Sequence, residues 1–247
     1  MPIDTAENQT TPMHKYETIP TVKINGGMKL VLPNGRITSL VNTILGHLQE
    51  SSKSAIIHFT SANKGVSAGV VACETAYYLA SNEGKKVLFL DTDSNAPYEG
   101  ILAKKNLCDS EPIDLYLSQN AERAPLVNLE GTNFSYGCLG IEDKSGNLKM
   151  KIADIKYLLD TLQQDYDIII MHSSNAVKND ITSIISPISA GTVVVVEAEK
   201  TRMPVVEELI NIVNLNGGKI LGSVMTGRKY YIPKIIYKIF FSGKFRD

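Results

Sequence analysis

The 247-residue sequence has no tryptophan and only three cysteines. It also lacks any uninterrupted apolar stretch of the roughly 18 residues that a transmembrane helix requires. The first residues, MPIDTAENQTTPMHKYE, have no apolar segment of the kind found in secretory signals. Cys73, Cys108 and Cys138 are far apart and form no CxxC or CxxH pair. That spacing excludes the common zinc and dithiol arrangements and suggests reduced thiols in core positions, in a reducing compartment. Neither sign of charge is in excess: 25 Lys and Arg against 26 Asp and Glu leave a net charge of −1. General nucleic-acid binding is therefore not expected. The expected location is cytoplasmic.

What is present is an ordinary globular composition, 43% hydrophobic and 21% charged, long enough for one large α/β domain. Residues 21–36 carry two turn signals, Asn25-Gly26-Gly27 and Pro33-Asn34-Gly35, and read as a small hairpin or an extended arm. Leu40, Val41, Ile44, Leu45 and Leu48 recur at helical spacing over 37–49. Apolar runs at 55–59, 86–91, 167–172, 192–196 and 220–224 read as buried strands, with a further strand expected at 133–139. Helical patterns at 151–164 and 205–215, and one following Ser173-Ser174 as far as Ile188, separate the later strands. Residues 97–130 read as irregular, with a short helix at 113–117. Strands alternating with helices predict a doubly wound, mostly parallel sheet covered on both faces.

The most informative stretch is SAIIHFTSANKGVSAGVV, residues 54–71. It reads as strand, loop and helix, the frame in which a P-loop places backbone N–H groups and a helix N-terminus around phosphates. From Ala62 the loop gives Asn63, Lys64, Gly65, Val66, Ser67, Ala68 and Gly69. Ala68 stands where the motif has its phosphate-neutralising lysine, and Gly69 where a hydroxyl would hold Mg²⁺. Ser67 replaces a glycine whose freedom lets backbone approach phosphate. Lys64 is a candidate substitute cation. Asp91 and Asp93 follow the strand 86–91, at the edge where ligands bind in open α/β sheets.

Four stretches together resemble one family: FTSANKGVSAG, VLFLDTDSNAP, YDIIIMHSS, and VVVVEAEKTRMPVVEELI with LGSVMTGRKYYIPKIIY. The family is that of the P-loop proteins of bacterial polysaccharide synthesis and export, which includes the bacterial tyrosine autokinases and is related to the MinD/ParA ATPases. The resemblance covers roughly residues 37–240. It implies a nucleotide-type fold over 37–227, with 1–36 as a flexible leader and arm and 228–247 as a basic, aromatic tail. In the family's pattern, Asp91 and Asp93 stand at the second acidic site and His172 at the Walker B acid. Loop residues 63–69 and Arg202 become the cofactor-binding candidates, with ATP or ADP and Mg²⁺ as the implied but weakened ligands. Mg²⁺ prefers oxygen ligands, so an imidazole at His172 is a poor substitute; the two readings left for it are a softer ion such as Zn²⁺ held with Asp91 and Asp93, and the commoner one, a hydrogen-bonded filler at a strand end. The family's self-association signature is absent where Ser39, Asn42 and Leu45 stand, which leaves homo-oligomerisation open.

The tail carries Arg228, Lys229, Lys234, Lys238, Lys244 and Arg246, interleaved with Tyr230, Tyr231, Tyr237 and other apolar residues. After Pro233, Ile235, Ile236, Ile239 and Phe240 fall on one helical stripe beside Lys234 and Lys238. Such a segment suits an anionic inner leaflet, a membrane-embedded chain-length or export partner, or the protein's own body. The reading these features favour is a catalytically impaired relative of the autokinases, an assembly or regulatory subunit of exopolysaccharide export peripheral to the inner membrane. The alternatives are an active autokinase or ATPase with an atypical site, and a MinD/ParA-like membrane-associating switch.

Overall fold

The structure, a computed structural model, describes residues 21–22, 34–48, 54–63, 67–92, 126–139, 150–173, 176–177 and 180–227. In chain order the elements are β1 (Thr21–Val22), α1 (Asn34–Leu48), β2 (Ala55–Thr60), α2 (Ser67–Asn82), β3 (Val87–Asp91), β4 (Leu126–Leu129) and β5 (Phe134–Cys138). They continue with α3 (Ile152–Leu162), β6 (Ile168–Ser173), α4 (Ile181–Ile185), a 3-10 turn (Ser186–Ile188), β7 (Gly191–Glu197), α5 (Met203–Leu215) and β8 (Ile220–Thr226). The strands form one sheet in the order β1-β4-β5-β3-β6-β2-β7-β8. From β5 to β8 every neighbouring pair is parallel, whereas β4 runs antiparallel to β5 and β1 follows β4. This is the doubly wound, mostly parallel sheet that the strand-helix alternation predicts.

Strands covered on both faces need apolar side chains on both, and β2, β3 and β6 are buried throughout. Ile57, Phe59, Phe89 and Ile170 point to the face covered by α1 and α2. Ile56, Leu88, Leu90 and Ile169 point to the opposite face, with Ile155, Leu158, Leu159 and Leu162 of α3. A third cluster joins Val194 to Val206, Leu209 and Val213 of α5. Helix α2 ends where Gly84 adopts φ 65°, and the Lys85 N–H reaches back to the Leu79 carbonyl at 3.3 Å.

Three readings need adjustment. Helix α1 starts at Asn34, so Asn34 and Gly35 belong to the helix rather than to a turn; a proline ahead of a first turn is compatible with helix entry. Strand β4 lies within 97–130, read from sequence as irregular, because its four residues, Leu-Val-Asn-Leu, offer too short a period to register. Within the arm, Thr21–Val22 pairs in parallel with β4. The short helix expected at 113–117 lies outside the described residues.

Phe89, in a central strand and fully buried, is expected to be costly to truncate. Phe89→Ala should lower stability by about 3–5 kcal/mol. Ile152→Ala, at a position 48% exposed on α3, should cost no more than about 0.5 kcal/mol. Urea unfolding of the two variants checks the contrast.

Candidate functional site

The strand order sets β3, β6 and β2 side by side, so their carboxyl ends share one edge of the sheet. The register pairs Asp91 with His172 across β3 and β6, and Thr60 with Ser173 across β2 and β6. Ser61 Oγ donates to the Asn63 carbonyl at 2.9 Å, and the Ala176 N–H donates to the Ser61 carbonyl at 3.0 Å. The polypeptide then enters α2 at Ser67, with Ala68 and Gly69 buried in its first turn. Ala68 belongs to the apolar cluster on the α2 face, packed among residues such as Val71 and Ala72.

Asp91 and His172 are each about 1% exposed, and His172 Nδ1 lies 2.9 Å from Asp91 Oδ1. A carboxylate oxygen accepts, so the Nδ1–H donates. The pair is held from both strands. Thr92 donates both its N–H and its hydroxyl to the His172 carbonyl, at 3.1 and 2.8 Å, and the Leu139 N–H donates to the Asp91 carbonyl at 2.7 Å. The structure therefore joins two of the three residues proposed from sequence as metal ligands, as an imidazole–carboxylate pair.

The remaining candidates are distributed differently. Asn63 is exposed beyond β2, and Arg202 is exposed as the N-cap residue of α5, past the carboxyl end of β7. Lys64, Gly65, Val66, Asp93, and the tail residues Arg228, Lys229, Tyr230, Tyr231, Lys234 and Lys238 lie outside the described residues. Among the described residues no group of three or more His, Cys, Asp or Glu could hold a metal ion.

On the opposite face of the sheet a second polar cluster is buried. His58 Nε2 lies 2.7 Å from Ser173 Oγ, which is 3.2 Å from Thr60 Oγ1 and 3.3 Å from Thr182 Oγ1. His58 Nδ1 finds no hydrogen-bond partner among the described residues. Burial, and secondarily the neighbouring His172, lower the His58 pKa from 6.5 to about 3, so the ring is neutral near pH 7. On α2, Glu74 is fully buried beside Cys73. Burial, then the charges of Glu74 and Asp91, push the Cys73 thiol well above its ordinary range, which makes it a packing residue rather than a nucleophile. The sequence reading missed this cluster and Glu74. Their only signal was a polar residue at an interior-facing position of an otherwise apolar strand or helix.

A fit to Mg²⁺ and nucleotide can be tested residue by residue. The lysine position is a buried methyl at Ala68, the hydroxyl position is the bare backbone of Gly69, and one Asp91 oxygen is engaged by an imidazole where a third acid would stand. These groups do not supply the charge balance that a nucleotide polyphosphate and its hard cation need.

The sequence matches no protein-family model and no curated protein. Among solved structures, the chain is similar to the chimerical protein CapA2B2 at a TM-score of 0.68 and 18% identity, covering 86% of this chain and 94% of that one. The kinase domain of the Escherichia coli tyrosine kinase ETK matches at a TM-score of 0.64 and 14% identity, over 87% of this chain and 94% of its own. A plasmid partition protein from Borrelia burgdorferi matches at 0.52 and 20%, over 77% and 87%. The structural neighbours thus include tyrosine kinase domains and a partition protein, the two groups that the sequence motifs resemble. At these identities the likeness establishes the fold.

Two predictions follow from the buried pairs. His172→Ala leaves the Asp91 carboxylate buried without its imidazole and should cost about 3 kcal/mol; Asp91→Asn, which keeps an acceptor, should cost about 1 kcal/mol in the same urea titration. The folded-state pKa of His58, about 3, lies below its unfolded value of 6.5. The unfolded chain therefore binds the extra proton, and stability is lost as pH falls from 6.5 toward 3. At pH 5 this loss amounts to about 2 kcal/mol. His58→Gln should flatten the decline relative to wild type between those limits, as read from unfolding curves at pH 7, 6 and 5.

Proposed function

We propose that this chain is a catalytically impaired, tyrosine-autokinase-like protein that serves as an assembly or regulatory subunit in exopolysaccharide synthesis and export. The observation that carries the reading is the joint state of three positions: Ala68 and Gly69 at the start of α2, and His172 bonded to Asp91 at the carboxyl ends of β6 and β3. Each removes charge or an oxygen ligand from the place where a P-loop enzyme balances its phosphates. The kinase-domain neighbours support the autokinase-like frame. What the frame retains is a rigid sheet with helices on both faces, suited to presenting surfaces.

The proposed partner is a membrane-embedded chain-length or export protein, and the proposed location is the cytoplasmic side of the inner membrane. The basic tail, with Arg228, Lys229, Lys234 and Lys238, supplies attraction of about 1 kcal/mol per charge near an anionic leaflet. No described helix is long and apolar enough to cross a membrane. Peripheral contact through the tail accounts for association without a span among those helices.

Calorimetric titration of the full chain with ATP and Mg²⁺ should show no binding tighter than millimolar. Micromolar affinity, or phosphotyrosine on the purified protein that disappears in Asp91→Ala, would favour an active autokinase instead.

A further inference from the structure

Far from the sheet edge that holds Asp91 and His172, a groove of about 360 Å³ runs between α1 and β8. Its floor is apolar, formed by Val193, Leu221 and Val224, and its α1 wall combines Leu40 and Ile44 with the exposed Arg36, Ser39 and Thr43. Strand β8 is the last in the sheet and carries no charged residue: Ile220–Thr226 reads ILGSVMT. Edge strands in soluble proteins are usually protected by lysine, proline or a covering segment. β8 has neither residue, and among the described residues no further strand pairs with its outer edge. Gly222 sits within it, and a Cβ built there would meet nothing within 4 Å. A glycine inside a strand weakens it, and commonly marks a place where another segment approaches the backbone.

We infer that the groove is the docking site of this chain's own C-terminal segment, residues 228–247. The chain reaches that segment at Gly227, one residue past β8, where φ is 68° and the backbone turns out of the strand direction. The five residues 228–232 extend at most about 17 Å, the length of about five strand residues at about 3.3 Å each, so the chain can turn back from Gly227 as far as Gly222. The segment that follows brings what the groove lacks. Ile235, Ile236, Ile239 and Phe240 share one helical stripe, suited to the floor of Val193, Leu221 and Val224. Lys234 and Lys238 flank the stripe and remain outward, free for an anionic surface. The apolar stripe and the uncharged edge strand each need burial, and they adjoin in sequence. A second copy would have to bring the same complement from a separate molecule, at the full entropic cost of association.

The absence of tryptophan makes the test direct. Ile236→Trp in the full chain places one indole on the proposed docking stripe. Its emission should be blue-shifted, and its acrylamide quenching constant at least threefold lower than that of Lys238→Trp. Adding Gly222→Glu, which fills the open space over the floor, should raise quenching of the introduced indole to the Lys238→Trp level. Thr43→Arg, on the exposed face of α1, should act in the same way and guards against a folding defect of the first variant. Equal quenching at positions 236 and 238 would overturn the inference, as would protection that survives both groove variants. Protection that appears only as protein concentration rises, with a dimer in sedimentation velocity, would assign the groove to a second copy. Protection that requires anionic vesicles would assign the stripe to the membrane. Either result would also overturn it.

Discussion

The structure depends on the contact between the His172 imidazole and the Asp91 carboxylate at the carboxyl ends of two adjacent parallel strands. Their register sets the two side chains opposite each other, and the Thr92 and Leu139 hydrogen bonds hold the strand ends that carry them. A carboxylate fully removed from water needs a partner, because desolvation disfavours its charge. Here the His172 imidazole is such a partner, and both side chains are buried.

In the same region Ala68 is buried in an apolar cluster. Glu74 and Cys73 lie inside on the same helix, and the Cys73 thiol is held protonated by burial and nearby charge. On the other face, His58 and three hydroxyls form a separate polar cluster, buried without an opening to solvent. Polar groups concentrated at the catalytic edge of a sheet normally announce reactivity. In this chain several of them bond to one another. Beside β8 the described residues leave an apolar groove open.

Much of the fold was legible because continuous apolar runs such as VLFLD and the IIIM of β6 are distinctive of buried parallel strands, and the helices between them keep a clear 3.6-residue period. Strand β4 was not legible, since Leu-Val-Asn-Leu is too short to separate strand from loop, and its antiparallel pairing depends on β5 rather than on local pattern. Asp91 and His172 were singled out as sheet-edge residues, but sequence cannot state that they bond to each other. That requires the strand order, in which β3 and β6 are neighbours although Asp91 and His172 are 81 positions apart in the sequence. The link of His58 to Ser173, 115 positions away, was not legible, because only the β2–β6 pairing creates it. Glu74 was invisible for a related reason: an acid within a run of small residues reads as a solvated position until the helix is seen packed on all sides.

¹⁵N NMR of the His172 ring in the full chain reports whether Nδ1 carries the proton that binds Asp91. A proton on Nδ1, with ring shifts that do not move when millimolar Mg²⁺ and ATP are added, is the expected result. Shifts that follow added Mg²⁺, with loss of the Nδ1 proton signal, would show that the carboxylate is available to a cation and would overturn the proposed impairment of the site.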